Sequence, residues 1–302
     1  MATSDPVELI HSIGEAQARS DALRAAGRRL AVVPTMGCLH AGHRSLVDAA
    51  RRRSDAVWLT IFVNPTQFGP GEDFERYPRT LAADLACCRE AGVDAVFLPT
   101  VEEMYPDGAE TWVAVADLTR PLCGRGRPGH FRGVTTVVTK LLLATRPAVA
   151  VFGEKDFQQL AVIRRMVRDL HFGVEIVGGA IVREADGVAL SSRNALLDPE
   201  TRRQARVLVR GLGAAEQALA GGERRTAALL QLVSLELEKA PRGRVEYAEL
   251  RDPESLEPAP ALLACPTLLA LAVVFAAAGG PVRLIDNRVL TPHPSVEDRP
   301  CS

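Results

Sequence analysis

Short apolar runs alternate with stretches of helical spacing over the first two thirds of the chain. Residues 30–33, 56–63, 95–98, 149–152 and 174–177 are largely apolar and end at Pro34, Asn64, Pro99, Gly153 and Gly178. Runs of this length between breakers are expected of strands buried on both faces. The segments between them predict helices over 80–91 and 134–144 and one running through Leu170, with a further helix opening at Gly42. The apolar positions Leu9, Ile10, Ile13, Ala16 and Leu23 predict an amphipathic helix over 6–28, and 111–115 reads as a further short strand. Strand–helix alternation predicts a parallel, doubly wound sheet.

The pattern then changes. Residues 181–183 and 188–190 flank a turn at Asp186-Gly187. Residues 198–239 read as helices rich in Ala, Leu and Arg, broken at Gly221-Gly222, and 244–250, 268–275 and 282–285 read as strands. Strands that follow helices without alternation indicate a smaller α+β unit. The expected fold is therefore α/β: a Rossmann-like parallel sheet domain over 1–187 and a smaller C-terminal α+β lid domain over 188–290. The tail 291–302, with three prolines and little apolar content, is expected to be disordered. The glycine- and acid-rich stretch 69–78 is expected to be a mobile loop.

Residues 259–282 carry no charge and are long enough to span a bilayer. Pro266 and Gly279-Gly280-Pro281 divide them into pieces of strand length, so a membrane span is rejected. With 302 residues, 47% hydrophobic and 24% charged, the composition is that of a soluble globular protein. A formal net charge of −1 gives no general attraction to nucleic acid or to an anionic membrane. The N-terminus lacks a basic-then-apolar signal pattern. The six cysteines form no Cys-x-x-Cys motif and read as reduced thiols of a cytoplasmic protein.

The candidate chemistry gathers where strands end. After 30–33 comes Pro34-Thr35-Met36-Gly37-Cys38-Leu39-His40-Ala41-Gly42-His43. Pro34 is expected to end the strand, and Gly37 and Gly42 let a ligand approach the backbone. His40 and His43, three apart at a helix start, can point the same way. A helix N-terminus suits a phosphate, and two imidazoles beside it could stabilise phosphoryl charge. A strand–loop–helix with glycines is also often only structural. No third ligand at zinc-finger spacing supports a metal site.

Other strand ends carry similar groups. Gln67, after 56–63, suits a hydroxyl or a carboxylate; the alternative is an ordinary Asn-Pro turn. The stretch Arg125 to Arg132 is either an anion-contacting loop or a solvated one. Gly153-Glu154-Lys155-Asp156 follows 149–152. There Lys155 offers a point charge for phosphate, and Asp156 an acceptor for a ribose hydroxyl or Mg²⁺. The plainer reading is an acidic cap beside a surface lysine. Gln159 lies one turn into the next helix. Ser191-Ser192-Arg193 could close over a triphosphate or merely cap a helix.

The His-x-Gly-His sequence resembles the ATP site of HIGH-type nucleotidyl transferases. Taken with Phe62 to Phe68, Arg127-Pro128-Gly129-His130-Phe131, Phe152 to Gln159 and Leu190 to Asn194, the chain resembles the pantoate–β-alanine ligase (pantothenate synthetase) family. A weaker echo falls at Arg283-Leu284-Ile285-Asp286-Asn287. The resemblance implies condensation of (R)-pantoate with β-alanine through a pantoyl adenylate, with ATP as co-substrate, Mg²⁺, and release of AMP and pyrophosphate. It implies ATP contacts from Met36, Gly37, His40, Gly42, His43, Gly153, Glu154, Lys155, Asp156, Val182, Leu190, Ser191, Ser192 and Arg193. It gives His43, His40, Lys155 and Arg193 catalytic roles, Gln67 and Gln159 contacts to pantoate, and Gln67 a place near β-alanine. It also implies a homodimer. Many family members carry an acidic residue where this chain has Cys123. A nucleotidyltransferase that leaves the nucleotide on its product and a non-catalytic ATP-binding regulator are the competing functions.

Overall fold

The computed structural model describes residues 7–69, 74, 75 and 77–292. Most of the predicted tail and part of the predicted 69–78 loop lie outside the described residues. The chain forms two compact units: Met1–Glu154 with Gln158–Val182, and Lys155–Phe157 with Arg183–Ser302.

The first unit is built on a six-stranded, all-parallel sheet of β1 (Glu8–Ile10), β2 (Leu30–Thr35), β3 (Ala56–Ile61), β4 (Ala95–Phe97), β5 (Val149–Gly153) and β6 (Glu175–Gly179). The strand order is β1-β4-β3-β2-β5-β6. Both faces are covered, which is why these strands read as continuous apolar runs. Leu30, Val32, Ala150 and Phe152 face one core, with helices Ile13–Ala25, His130–Thr145 and Phe157–Asp169. Ala31, Val33, Val149 and Val151 face the other, with helices Ala41–Arg51 and Leu81–Glu90.

The order of the strands decides where a ligand can sit. From β2 the chain builds outward through β3 and β4, then returns to place β5 on the other side of β2. The C-terminal ends of β2 and β5 therefore flank the switch point, the usual ligand crevice of an open parallel sheet. The helix Ala41–Arg51 packs closely there: a Cβ on Gly179 would lie 2.1 Å from Leu46 Cδ2.

Three sequence expectations need correction in this unit. Pro34 does not end β2; it lies in register with Thr60 of β3. Pairing with β5 stops at Val32, so the missing N–H of Pro34 falls beyond that ladder. The helix predicted over 6–28 is a strand followed by a helix. Ser12 starts the helix by accepting from Glu15 N at 3.2 Å, and Glu8–Ile10 pairs with β4. Residues 111–115 form no strand; the backbone of Val113 is instead partnered by hydroxyls of the helix His130–Thr145. Thr136 Oγ1 accepts from Val113 N at 3.1 Å, and Thr135 Oγ1 donates to Val113 O at 2.6 Å.

The second unit has an antiparallel sheet, β7 (Gly243–Arg251), β8 (Thr267–Ala277) and β9 (Gly280–Leu290), in that order. Helices Pro199–Ala205, Val207–Ala220 and Thr226–Leu237 accompany it. Leu208, Leu212, Leu229 and Val233 pack with Leu269, Leu271 and Phe275. The uncharged stretch 259–282 supplies β8 and the start of β9. Among the described residues no helix is long and apolar enough to cross a membrane.

Cys38, Cys87, Cys88 and Cys123 are free. Burial pushes the Cys88 thiol up to about 12 and raises Cys87, so neither is a ready nucleophile.

Candidate active site

The loop after β2 is held by a buried carboxylate. Asp84, 2% exposed, accepts from Cys38 N at 3.1 Å and from Leu39 N at 2.7 Å. Thr80 Oγ1 donates to the same carboxylate at 3.2 Å. Gly37 and Cys38 both have positive φ, 84° and 56°. A Cβ on Gly37 would meet Asp84 Oδ2 at 3.0 Å, so glycine fits the turn on both counts.

The two imidazoles then cap the helix Ala41–Arg51. His40 Nδ1 accepts from Gly42 N at 3.1 Å, and His43 Nδ1 accepts from His40 N at 3.3 Å. Their ring centroids are 4.1 Å apart. With Nδ1 accepting in both, each neutral ring carries its proton on Nε2, which becomes the donor. The first helical turn holds no acidic residue. The N–H groups of a helix start and two imidazole donors together form a seat suited to a phosphate chain.

Gln67 is locked beside this loop. Its Nε2 lies 3.2 Å from Met36 Sδ, and its Oε1 accepts from Asn64 Nδ2 at 3.1 Å. Asn64 is 1% exposed, donates to Gly133 O at 3.2 Å and accepts from Thr66 and from the Tyr105 hydroxyl at 2.8 Å. Burial holds the Tyr105 phenol above its usual range, so it stays a donor. Gly133 allows the helix His130–Thr145 to reach this turn, since a Cβ there would sit 2.4 Å from Thr66 O.

The basic stretch 125–132 is neither simply solvated nor simply an anion clamp. His130 Nδ1 donates to Gln67 O at 2.9 Å, so its Nε2 is the acceptor of the neutral ring and takes a bond from Arg127 Nη1 at 3.0 Å. Part of that loop thus braces the Gln67 turn. Gln158 is 5% exposed and tethers another segment. It donates to Leu118 O and Pro121 O at 2.9 and 2.7 Å and accepts from Cys123 N at 3.0 Å. Its neighbour Gln159 is half-buried, and among the described residues its amide has no hydrogen-bond partner. Gly153, Glu154 and Val182 are likewise half-buried in this unit.

In the second unit, Lys155 Nζ lies 3.0 Å from Asp156 Oδ2 in the turn Glu154–Asp156. Ser191 Oγ accepts from Arg193 N at 3.3 Å, which makes it a cap. Leu190, Ser192 and Arg193 are half-buried beside it. Asn194 ties this turn down by donating to Glu184 at 2.7 Å and to Ala189 O at 3.0 Å.

Sequence reasoning missed Asp84, Asn64, Tyr105, His130 and Gln158 as site supports. Asn64, a polar residue ending a buried strand before a proline, carried a readable signal, as did His130 and Gln158 through the motif blocks that contain them. The others act through contacts between segments far apart in sequence.

The sequence model of the family described as pantoate-beta-alanine ligase matches residues 8–289. The chain belongs to the pantoate-beta-alanine ligase family. The ligase is 56% identical over 288 residues to the pantothenate synthetase of Anaeromyxobacter dehalogenans, covering 93% of this chain and 97% of that one. It superposes on the crystal structure of pantothenate synthetase from Thermus thermophilus with a TM-score of 0.87 and 47% identity, over 95% of this chain and 100% of that one. It also resembles the pantoate-beta-alanine ligase of Francisella tularensis complexed with beta-gamma ATP and beta-alanine. There the TM-score is 0.75 and the identity 29%, over 96% of this chain and 100% of that one.

Proposed function

We propose that this ligase joins pantoate to β-alanine in two steps on one ATP. In the first, a pantoate carboxylate oxygen attacks the α-phosphorus and pyrophosphate leaves. In the second, the β-alanine amine attacks the acyl carbon, loses a proton, and AMP leaves. Adenylation is needed because a carboxylate is a poor electrophile and AMP is a good leaving group.

The observation that carries this reading is the paired imidazoles at the start of helix Ala41–Arg51, both with Nδ1 committed to backbone N–H groups. In this reading their Nε2–H groups donate to phosphate oxygens. Met36, Gly37, Gly42, Gly153, Glu154, Asp156, Val182, Leu190, Ser191 and Ser192 hold the nucleotide. His43 acts as proton donor with His40 beside it, and Lys155 and Arg193 balance phosphate charge. Gln67 and Gln159 take pantoate, with Gln67 also serving β-alanine.

Among the described residues no group of three or more His, Cys, Asp or Glu side chains could hold a metal ion. Mg²⁺ would arrive on ATP, since Mg²⁺ at nucleotide sites is held mainly by phosphates, waters and one or two carboxylates. When bound it would neutralise triphosphate charge, and in this reading Asp156 is the carboxylate that would approach it. The family resemblance supports a cytoplasmic homodimer with a nucleotide domain and a C-terminal lid.

The test is isotopic. Pantoate labelled with ¹⁸O in its carboxylate should deliver one labelled oxygen to AMP. Label in inorganic phosphate, with ADP as co-product, would refute the adenylate route.

A further inference from the structure

Strand β9 ends in a feature that the reaction above does not use. Asp286 is 2% exposed, on a strand whose other buried residues include Leu284 and Leu290. Its carboxylate is fully engaged. Arg183 Nη1 donates to Oδ2 at 2.6 Å, Arg183 Nη2 to Oδ1 at 2.9 Å, and Asn287 N to Oδ1 at 2.8 Å. Arg183 also donates to Gly187 O at 3.0 Å. A bidentate guanidinium and a backbone N–H therefore fix this acid in one orientation. Such a pair is a poor source of stability, because desolvating both charges offsets their attraction. What it does supply is fixed geometry for the residue next to it.

That residue is Asn287, 7% exposed, whose Nδ2 donates to the carbonyl of Lys155 at 2.9 Å. Lys155 lies in a three-residue turn, Glu154–Asp156, with a flexible stem ending in the ammonium. Fixing its peptide limits where the ammonium can reach, which matters most for a point charge that must meet a phosphate.

We propose that Asn287 is a positioning residue for Lys155, itself oriented by the Arg183–Asp286 pair, and that its effect is confined to adenylation. The proposal rests on the reading of Lys155 as a phosphate contact. A double-mutant cycle on the full-length enzyme tests both, with rapid-quench measurement of pantoyl adenylate formation.

Lys155→Ala should slow adenylation roughly 10²-fold or more, as loss of an electrostatic donor does. Asn287→Ala should slow it about 10-fold, as modest misplacement of a reacting group does. In the Lys155→Ala background, Asn287→Ala should cost nothing further. Attack of β-alanine on chemically supplied pantoyl adenylate should proceed at the parent rate in Asn287→Ala. Asn287→Asp keeps the side-chain volume and replaces the donor by an acceptor facing the carbonyl. It should reproduce the adenylation loss, and it carries the test if the alanine variant does not fold.

An undiminished adenylation rate in a folded Asn287 variant overturns the proposal. So does an equal loss with and without Lys155, or an equal loss in the second half-reaction. A Lys155→Ala enzyme that adenylates at the parent rate instead overturns the reading of Lys155, and it does so before any Asn287 variant is made.

Discussion

The carboxylate of Asp84 accepts the N–H of Leu39 at 2.7 Å and, through its other oxygen, that of Cys38 at 3.1 Å. One side chain from the helix Leu81–Glu90 thereby fixes the two residues that precede His40. Without it, the N–H groups of Cys38 and Leu39 lose their acceptor, while Gly37 N keeps its bond to Thr35 Oγ1. Asp84→Ala should lower kcat about 10²-fold at saturating substrates, the scale expected when reacting groups are displaced by about an ångström. Asp84→Asn, which can accept through one oxygen only, should fall between. Steady-state kinetics of the two variants check the order.

The chain from Arg127 through His130 to Gln67 makes a second prediction. His130 must donate from Nδ1 to hold the Gln67 carbonyl. His130→Asn retains a donor close to that position, whereas His130→Ala does not. The alanine variant should raise the KM for pantoate about 10-fold, with the asparagine variant nearer the parent. KM values measured for pantoate and for ATP separately would show whether the effect is confined to the Gln67 turn.

Thr60 predicts a gain rather than a loss. It is fully buried in β3, and its Oγ1 has no hydrogen-bond partner among the described residues. Replacing an unsatisfied hydroxyl by a methyl of the same shape removes a desolvation cost. Thr60→Val should stabilise the enzyme by about 1 kcal/mol, read as a rise in the denaturant midpoint with an unchanged slope.

Asp198 sets an acid dependence in the second unit. It accepts from Thr201 N at 3.0 Å and Thr201 Oγ1 at 2.7 Å, and from Glu200 N and Ala278 N. These bonds, the Thr201 backbone first, hold its carboxyl well below the usual carboxylate range. A depressed carboxyl contributes stability above its unfolded value of about 3.9 and loses it as pH falls toward the folded value. The melting temperature of Asp198→Asn should therefore lie below the parent's at pH 7. The gap should narrow as pH falls from about 4 toward 2, which thermal melts across that range would show.

The parallel sheet was legible because its strands are buried on both faces and read as apolar runs between breakers. The antiparallel unit was legible because alternation stopped after 190. What the pattern could not show was pairing. Glu8–Ile10 is apolar enough to be taken into a helix, and only its place beside Ala95–Phe97 makes it a strand. Pro34 reads as a stop until the end of the β5 ladder at Val32 is known. The chemistry-bearing residues stood out because they follow strand ends. Their supports did not, since Asp84 reaches Leu39 across 45 positions and Asn287 reaches Lys155 across 132.

A crystal of the enzyme soaked with ATP and pantoate tests the central claim most directly. The account predicts pantoyl adenylate, or its unreacted precursors, with phosphate oxygens within hydrogen-bonding distance of both His43 Nε2 and Lys155 Nζ. Bound nucleotide whose phosphates meet only one of these two side chains, or neither, would contradict it.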